Sequence, residues 1–141
     1  MKILVATDGS DNALNAVKYA TKLAAGLSSN DTITLINVHD DTALRHASQY
    51  VGKSGVDDYL RDLSREELAP AKRLLEATSV KHDEAILTGH ISESIVKYAD
   101  SGQYDMIVLG SKGRSGITDL LVGSVAQRVL ATAKQPVLLV K

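Results

Sequence analysis

The sequence predicts an α/β fold: a doubly wound, five-stranded parallel sheet in the order 3-2-1-4-5, with helices on both faces. Three observations predict it. Ile3–Ala6, Met106–Leu109 and Val137–Val140 are nearly unbroken apolar runs, the pattern of strands covered on both faces. Amphipathic helical patterns separate the strand-like runs, so strands and helices alternate strictly, which implies parallel pairing. Right-handed crossovers then leave few topologies, and 3-2-1-4-5 is the one expected. A length of 141 residues argues for a single domain spanning 1–141.

The elements follow in order. The first strand is read at Ile3–Thr7. A helix follows from about Asp11 to Leu27, with Ala13, Ala16, Val17, Ala20, Leu23, Ala24 and Leu27 on one face and Ser10 or Asp11 as its cap. Thr32–Val38 is the second strand. The long connection Asp40–Gly55 contains Leu44, Ala47 and Val51 at the spacing of a short helix. Leu60, Leu63, Ala71, Leu74 and Leu75 mark a helix between about Asp57 and Thr78, where Pro70 is expected to force a kink or a restart. Glu84–Leu87, begun at the earliest at His82, is the third strand. Ile91, Ile95, Val96 and Ala99 form the next helix, with Ser92 as its expected cap. Met106–Leu109 is the fourth strand. Ser124-Val-Ala-Gln127 has the spacing of a capping box opening the last helix, marked by Val125, Ala126, Val129, Leu130 and Ala133. Pro136–Val140 is the fifth strand.

Composition limits the function. Lysine plus arginine against aspartate plus glutamate is 16 against 17, a net charge of −1. Such a chain has no bulk attraction for nucleic acid or an anionic membrane, so any anion site must be local. It has five tyrosines and no Trp or Phe, which leaves little for base-stacking readout of single strands. With no Cys, disulfides, thiolate metal sites and thiol nucleophiles are excluded. Zero Cys fits a reducing compartment, and a cytoplasmic location is expected. The apolar run before Asp8 is too short for a signal-peptide core, and no stretch approaches the roughly 20 apolar residues of a membrane span.

Ligands of doubly wound sheets bind beyond the strand C-termini where the strand order reverses, here between strands 1 and 4. Strand 1 ends in Ala6-Thr7-Asp8-Gly9-Ser10. Strand 4 ends in Leu109-Gly110-Ser111-Lys112-Gly113-Arg114-Ser115-Gly116, with three glycines in seven residues from 110 to 116. Gly123-Ser124 opens the last helix. A helix start offers unpaired N–H groups and a partial positive charge. The expected cradle sets Gly110 and Gly113 on one side and the amides of Gly123, Ser124 and Val125 on the other, with Lys112 and Arg114 adding charge at the mouth. A helix terminus contributes about 0.3–1 kcal/mol to an exposed anion, and a hydrogen bond to a charged group about 1.5–3. Several such bonds plus apolar contact reach the roughly 8 kcal/mol of micromolar binding, whereas one exposed Lys does not.

Competing motifs fail. A dinucleotide fingerprint requires G-x-G-x-x-G after strand 1, and only Gly9 is there. Gly52-Lys53-Ser54 matches the end of a Walker A loop, but Ala47 stands where its first glycine belongs. Strand 3 ends Leu87-Thr88-Gly89 without the Asp of a receiver domain.

Gly110-x2-Gly113-x9-Gly123-Ser124 matches the G-2x-G-9x-G-(S/T) pattern of the universal stress proteins, specifically their ATP-binding subgroup. VATDGS and the terminal PVLLV resemble the same family, over the whole chain. The resemblance implies an adenine-nucleotide α-hydrolase-like, Rossmann-like sandwich that binds ATP, AMP or ADP. It implies that Ala6, Thr7 and Asp8 line the nucleoside end, with Asp8 accepting hydrogen bonds from adenine or ribose. Val38 would meet the adenine edge through its backbone, and Leu109 and Gly110 would flank the ribose. Lys112 and Gly113 would approach the ribose–phosphate region. Gly123, Ser124 and Val125 would bind the phosphates, bridged by Mg2+ or Mn2+. It also implies a homodimer through Val137–Val140, an edge strand that Pro136 permits and that pairing would protect.

Hydrolysis needs a base or a positioned water near the γ-phosphate. His39 and His90 follow strands 2 and 3 at the ligand edge, and His46 and His82 have no metal-ligand spacing with them. A solvated or structural role is expected for each, and Asp8 is read as a nucleoside acceptor. The favoured reading is therefore an ATP-binding regulatory protein of the stress response, with no catalytic residue assigned. The alternatives are a slow ATP-hydrolysing enzyme of the same fold and a nucleotide-free dimeric scaffold. Occupancy is expected to order Ser111–Leu121. Arg45, His46 and Lys53 in the long connection are candidates to close over the nucleotide or meet a partner.

Overall fold

The structure, a computed structural model, describes residues 1–27, 30–113 and 121–141, with the backbone alone at Ala47 and Val51. Its order is β1 (Lys2–Ala6), α1 (Asp11–Leu27), β2 (Thr32–His39), α2 (Thr42–Val51), α3 (Lys53–Glu76), β3 (Lys81–Thr88), α4 (Ile91–Ser101), β4 (Met106–Gly110), α5 (Ser124–Thr132) and β5 (Val137–Val140). The strands form one sheet ordered β3-β2-β1-β4-β5, all neighbours parallel.

Side-chain alternation divides the core into two layers. Ile3, Val5, Ile33, Leu35 and Val108 face α1 and α3. Leu4, Ile36, Val38, Ile107 and Leu109 face α4 and α5. Central strands thus bury both faces, which is why β1 and β4 read as continuous apolar runs. The buried face of α1 is built from Ala13, Ala16, Val17, Ala20 and Ala24. Small side chains let this helix approach the sheet closely.

Four local readings change. β3 begins at Lys81, because its polar first half, Lys81-His82-Asp83-Glu84, pairs with Thr32–Leu35 through backbone bonds that hydrophobicity does not report. α3 continues through Pro70 as one helix, so the restart does not occur. Proline removes the bond to the carbonyl four residues back, that of exposed Glu66, while Leu68, Ala71 and Leu75 keep the opposite side packed. The N-cap of α4 is His90, and Ser92 lies inside the helix, buried, with its hydroxyl 3.3 Å from His90 Nδ1. The N-cap of α5 is Gly123, so Ser124 is its first helical residue; Gln127 Nε2 instead donates to the Val122 carbonyl at 2.7 Å. The short helix expected in the Asp40–Gly55 connection is α2, and α3 starts directly after Gly52, whose φ of 82° makes the sharp change of direction.

Candidate functional site

Two chain exits build the site at the C-terminal edge of the sheet, where β1 and β4 are neighbours. The first is the β1 exit. The β1–β2 ladder continues one bond past the strand, Thr7 N donating to the Ile36 carbonyl at 3.0 Å. Gly9 then takes φ 80°, a left-handed conformation that favours glycine, and turns the chain into α1. Gly9 N donates to Thr7 Oγ1 at 3.3 Å and Ser10 N to Asp8 Oδ1 at 2.9 Å, so the side chains stiffen the turn they belong to. Ser10 Oγ accepts from Ala13 N at 3.2 Å and caps α1, as its position predicts.

The second exit is that of β4. Ser111 N donates to the Val140 carbonyl at 2.7 Å and Gly123 N to the Ser111 carbonyl at 2.8 Å. These bonds bring the start of α5 back against the 111–113 segment. A β-carbon placed on Gly123 would lie 3.5 Å from Gly113 N and 3.5 Å from Lys112 Cα. One placed on Gly113 would lie 3.0 Å from Asp8 Oδ2. Gly113, Gly123 and Asp8 therefore lie close together: a β-carbon on Gly113 would press on the Asp8 carboxylate, whereas one on Gly123 would make ordinary contact with the 111–113 backbone. Gly110 has a different reason for its glycine. A β-carbon there would meet the α1 backbone, 2.8 Å from the Asn12 carbonyl carbon and 3.0 Å from Ala13 N. Its small size serves helix–sheet packing.

The two exits enclose a hollow of about 700 Å3, open mouth included. Ala6, Thr7, Asp8, Val38, Leu109, Gly110, Lys112, Gly113, Gly123, Ser124 and Val125 all line it. Every one of these is a residue that the sequence nominates for a nucleotide. Ile36, Ile91, Ile95 and Ala126 complete the wall and were not nominated. They are core positions by period alone, and nothing local distinguishes a core isoleucine from one at the end of a hollow. The result is an apolar wall from β2, β4 and α4 facing a cradle of glycine backbone and the first turn of α5. Asp8 and Lys112 are the only charged side chains lining it among the described residues.

The remaining nominated residues lie elsewhere. Arg45 and Lys53 line a separate recess with Asp41, Ser48, Val56, Asp57 and Thr88, outside the main hollow. Arg45 Nε holds Asp41 at 2.7 Å, and that hydrogen bond is the main cause of a raised Arg45 pKa. His90 lines a neighbouring recess with Asp40, Ser92 and Arg128, which shares Ile91, Ser124 and Val125 with the hollow. The Asp40 carboxyl there is held below its ordinary range, first by the Thr42 hydroxyl and then by the Thr42 N–H. His39 Nε2 lies 3.0 Å from Glu67 Oε2 on the opposite layer. Among the described residues, no group of three or more His, Cys, Asp or Glu is arranged to hold a metal. No helix among them is long and apolar enough to cross a membrane. Arg114 and most of Ser111–Leu121 lie outside the described residues.

The fold recurs in known proteins. The universal stress protein MJ0531 of Methanocaldococcus jannaschii is 34% identical over 146 residues, covering 99% of this chain and 81% of its own. The solved structure of the hypothetical protein MJ0577, from the same organism, superposes with a TM-score of 0.85 at 28% identity, covering 99% of this chain and 94% of that one. A universal stress protein solved in complex with cAMP superposes with a TM-score of 0.67 at 28% identity, covering 100% of this chain and 97% of that one. The model of the universal stress protein family matches residues 1–141. With the strand order, the paired exits and the spaced glycines already in place, that match over the whole chain makes it a member of the universal stress protein family.

Proposed function

We propose that this chain is a regulatory protein of the stress response that binds an adenine nucleotide, ATP foremost, in the hollow at the β1–β4 exits. The observation that carries the reading is the contact between the two glycine segments: a β-carbon on Gly123 would lie 3.5 Å from Gly113 N, so the start of α5 stands directly against the 111–113 backbone. A cradle of backbone amides at a helix start suits a polyanion. The apolar wall of Ile36, Val38, Ile91 and Ile95 suits a base, as the mostly apolar lining of small-molecule sites does. The related protein solved with cAMP supports an adenine nucleotide as the ligand class. Ala6, Thr7 and Asp8 would hold the nucleoside, Val38 the adenine edge, Leu109 and Gly110 the ribose. Lys112 and Gly113 would meet the ribose–phosphate region and Gly123, Ser124 and Val125 the phosphates. Mg2+ or Mn2+ would ride on the phosphates, since Asp8 is the only carboxylate lining the hollow among the described residues.

Regulation is favoured over hydrolysis because none of the four histidines lines the hollow among the described residues. Calorimetric titration with ATP, AMP and GTP in the presence of Mg2+, together with mass spectrometry of ligand released from freshly purified protein, tests the assignment. Micromolar binding of ATP or AMP with GTP weaker is expected. No binding by any of them would leave the nucleotide-free scaffold as the reading. Phosphate release well above the uncatalysed background would turn it into an ATPase.

A homodimer through β5 is the second part of the proposal. Ile107 N donates to the Pro136 carbonyl and Ser111 N to the Val140 carbonyl, so the even-numbered residues of this strand turn their backbone groups toward β4. Val137 and Leu139 therefore point theirs at the open edge. Leu139→Pro removes one outward N–H without breaking a bond to β4. Sedimentation velocity should show a dimer for the native chain and a monomer for Leu139→Pro; a dimer in both would move the interface elsewhere.

A further inference from the structure

Behind the β1 exit, on the layer opposite the hollow, sits a buried polar pair that nucleotide contact does not explain. Asn37 is 1% exposed and Glu67 5%. Asn37 Nδ2 donates to Glu67 Oε2 at 2.8 Å and to the Thr7 carbonyl at 2.8 Å. The paired register of β1 and β2 ends at Ala6 opposite Ile36, and one residue on a side chain takes hold of the Thr7 carbonyl. We propose that Glu67 is a positioning residue for the nucleotide hollow, acting through Asn37 on the Thr7 carbonyl. The inference rests on reading the hollow as a nucleotide site.

The chemistry is that of a primary amide between two acceptors. The carbonyl of Thr7 and the carboxylate of Glu67 both need a donor, and the Asn37 amide nitrogen carries two N–H groups. Turned over, the amide would set its oxygen against both. Glu67, one helix layer away, fixes the orientation that leaves an N–H for Thr7. Thr7 then supplies its hydroxyl to Gly9 N, and Asp8 its carboxylate to Ser10 N, so the clamp at the carbonyl is inherited by the turn that lines the hollow. His39 Nε2 lies 3.0 Å from Glu67 Oε2, and Ser64, one turn earlier on α3, is also buried. The rest of the buried face of α3 is Leu60, Leu68, Ala71 and Leu75. A buried polar pair exchanged as a whole for apolar side chains often loses little stability, so stability alone does not account for Asn37 and Glu67 among these leucines.

The test uses Glu67→Leu, Glu67→Gln and the double variant Glu67→Leu/Asn37→Leu, each read by melting temperature, by ATP and AMP titration and by amide exchange at Gly9 and Ser10. Gln keeps an acceptor for Asn37 and should match the native chain in all three. Glu67→Leu, which strands a buried Asn37 N–H, should melt lower than the native chain, a loss that the double variant recovers, and should exchange faster at Gly9 and Ser10 and bind about tenfold more weakly, the worth of roughly one hydrogen bond. If Glu67→Leu does not fold, the double variant, which buries neither group, gives the exchange and affinity readings. Native exchange and affinity in the leucine variants, or an equal loss in Glu67→Gln, would overturn the proposal. If the native chain binds no nucleotide, it is the reading of the hollow that fails, and exchange at Gly9 and Ser10 still decides whether the clamp exists.

Discussion

Gly123→Val should abolish nucleotide binding and leave the fold standing. Gly123 has φ −60° and ψ 154°, an extended conformation open to any residue. Its β-carbon would stand 3.5–3.6 Å from Gly113 N, Lys112 Cα and Ser111 O, which is ordinary contact. The backbone therefore admits valine, but the two methyls beyond the β-carbon need space between the glycine segments. They would cover the amides proposed to receive the phosphates. Losing two hydrogen bonds to a charged group, at about 1.5 kcal/mol or more each, weakens binding by about a hundredfold or more. Valine is also a poorer N-cap than glycine, by up to about 1 kcal/mol, so a fall of about 3–4 °C in melting temperature is expected. Titration and a thermal melt on the same sample separate the two effects. Native affinity in a folded Gly123→Val protein would contradict the phosphate assignment, and Gly123→Ala should lie between the two.

Gly110→Ala should do the reverse and destabilise the protein strongly. The added carbon would lie 2.8 Å from the Asn12 carbonyl carbon and 3.0 Å from Ala13 N and Asn12 O. All three are backbone atoms of α1, and no side chain can swing aside to relieve them. The helix must move off β4, opening the close contact made by Ala13, Ala16 and Ala20. Overpacking of this kind costs about 1–3 kcal/mol, and the rigid partner argues for the upper end, a loss of about 8–10 °C in melting temperature. Differential scanning calorimetry measures it. A Gly110→Ala protein as stable as the native chain would show that α1 yields freely at this contact. The two glycines belong to one spaced motif, yet one is proposed to be small for a ligand's approach and the other is small for a helix.

That difference marks the boundary of what local sequence carries. Spacing of 2 and 9 residues between the glycines brought Gly110, Gly113 and Gly123 to notice, and strand order placed them opposite Asp8. The reason for each glycine depends on which atoms face it, and that is set by residues about a hundred positions away, the Asn12 backbone for Gly110 and the Asp8 carboxylate for Gly113. Ile91 and Ile95 escaped notice because the helical period reports which side of α4 is buried and not what the burial is against. The Asn37–Glu67 pair escaped for the same reason: thirty residues separate two polar side chains that look solvated when read alone.

The alternation of apolar runs with helical patterns determined the fold class, the strand order and the edge of the sheet where the hollow opens, because buried faces impose periods that survive in one dimension. The first half of β3, the course of α3 through Pro70 and the caps of α4 and α5 were decided only in the folded chain. Backbone pairing and neighbouring helices there outweigh preferences of about 1–3 kcal/mol. The separate tasks of the three glycines were decided there too, since a missing side chain has meaning only beside the atoms that would have struck it.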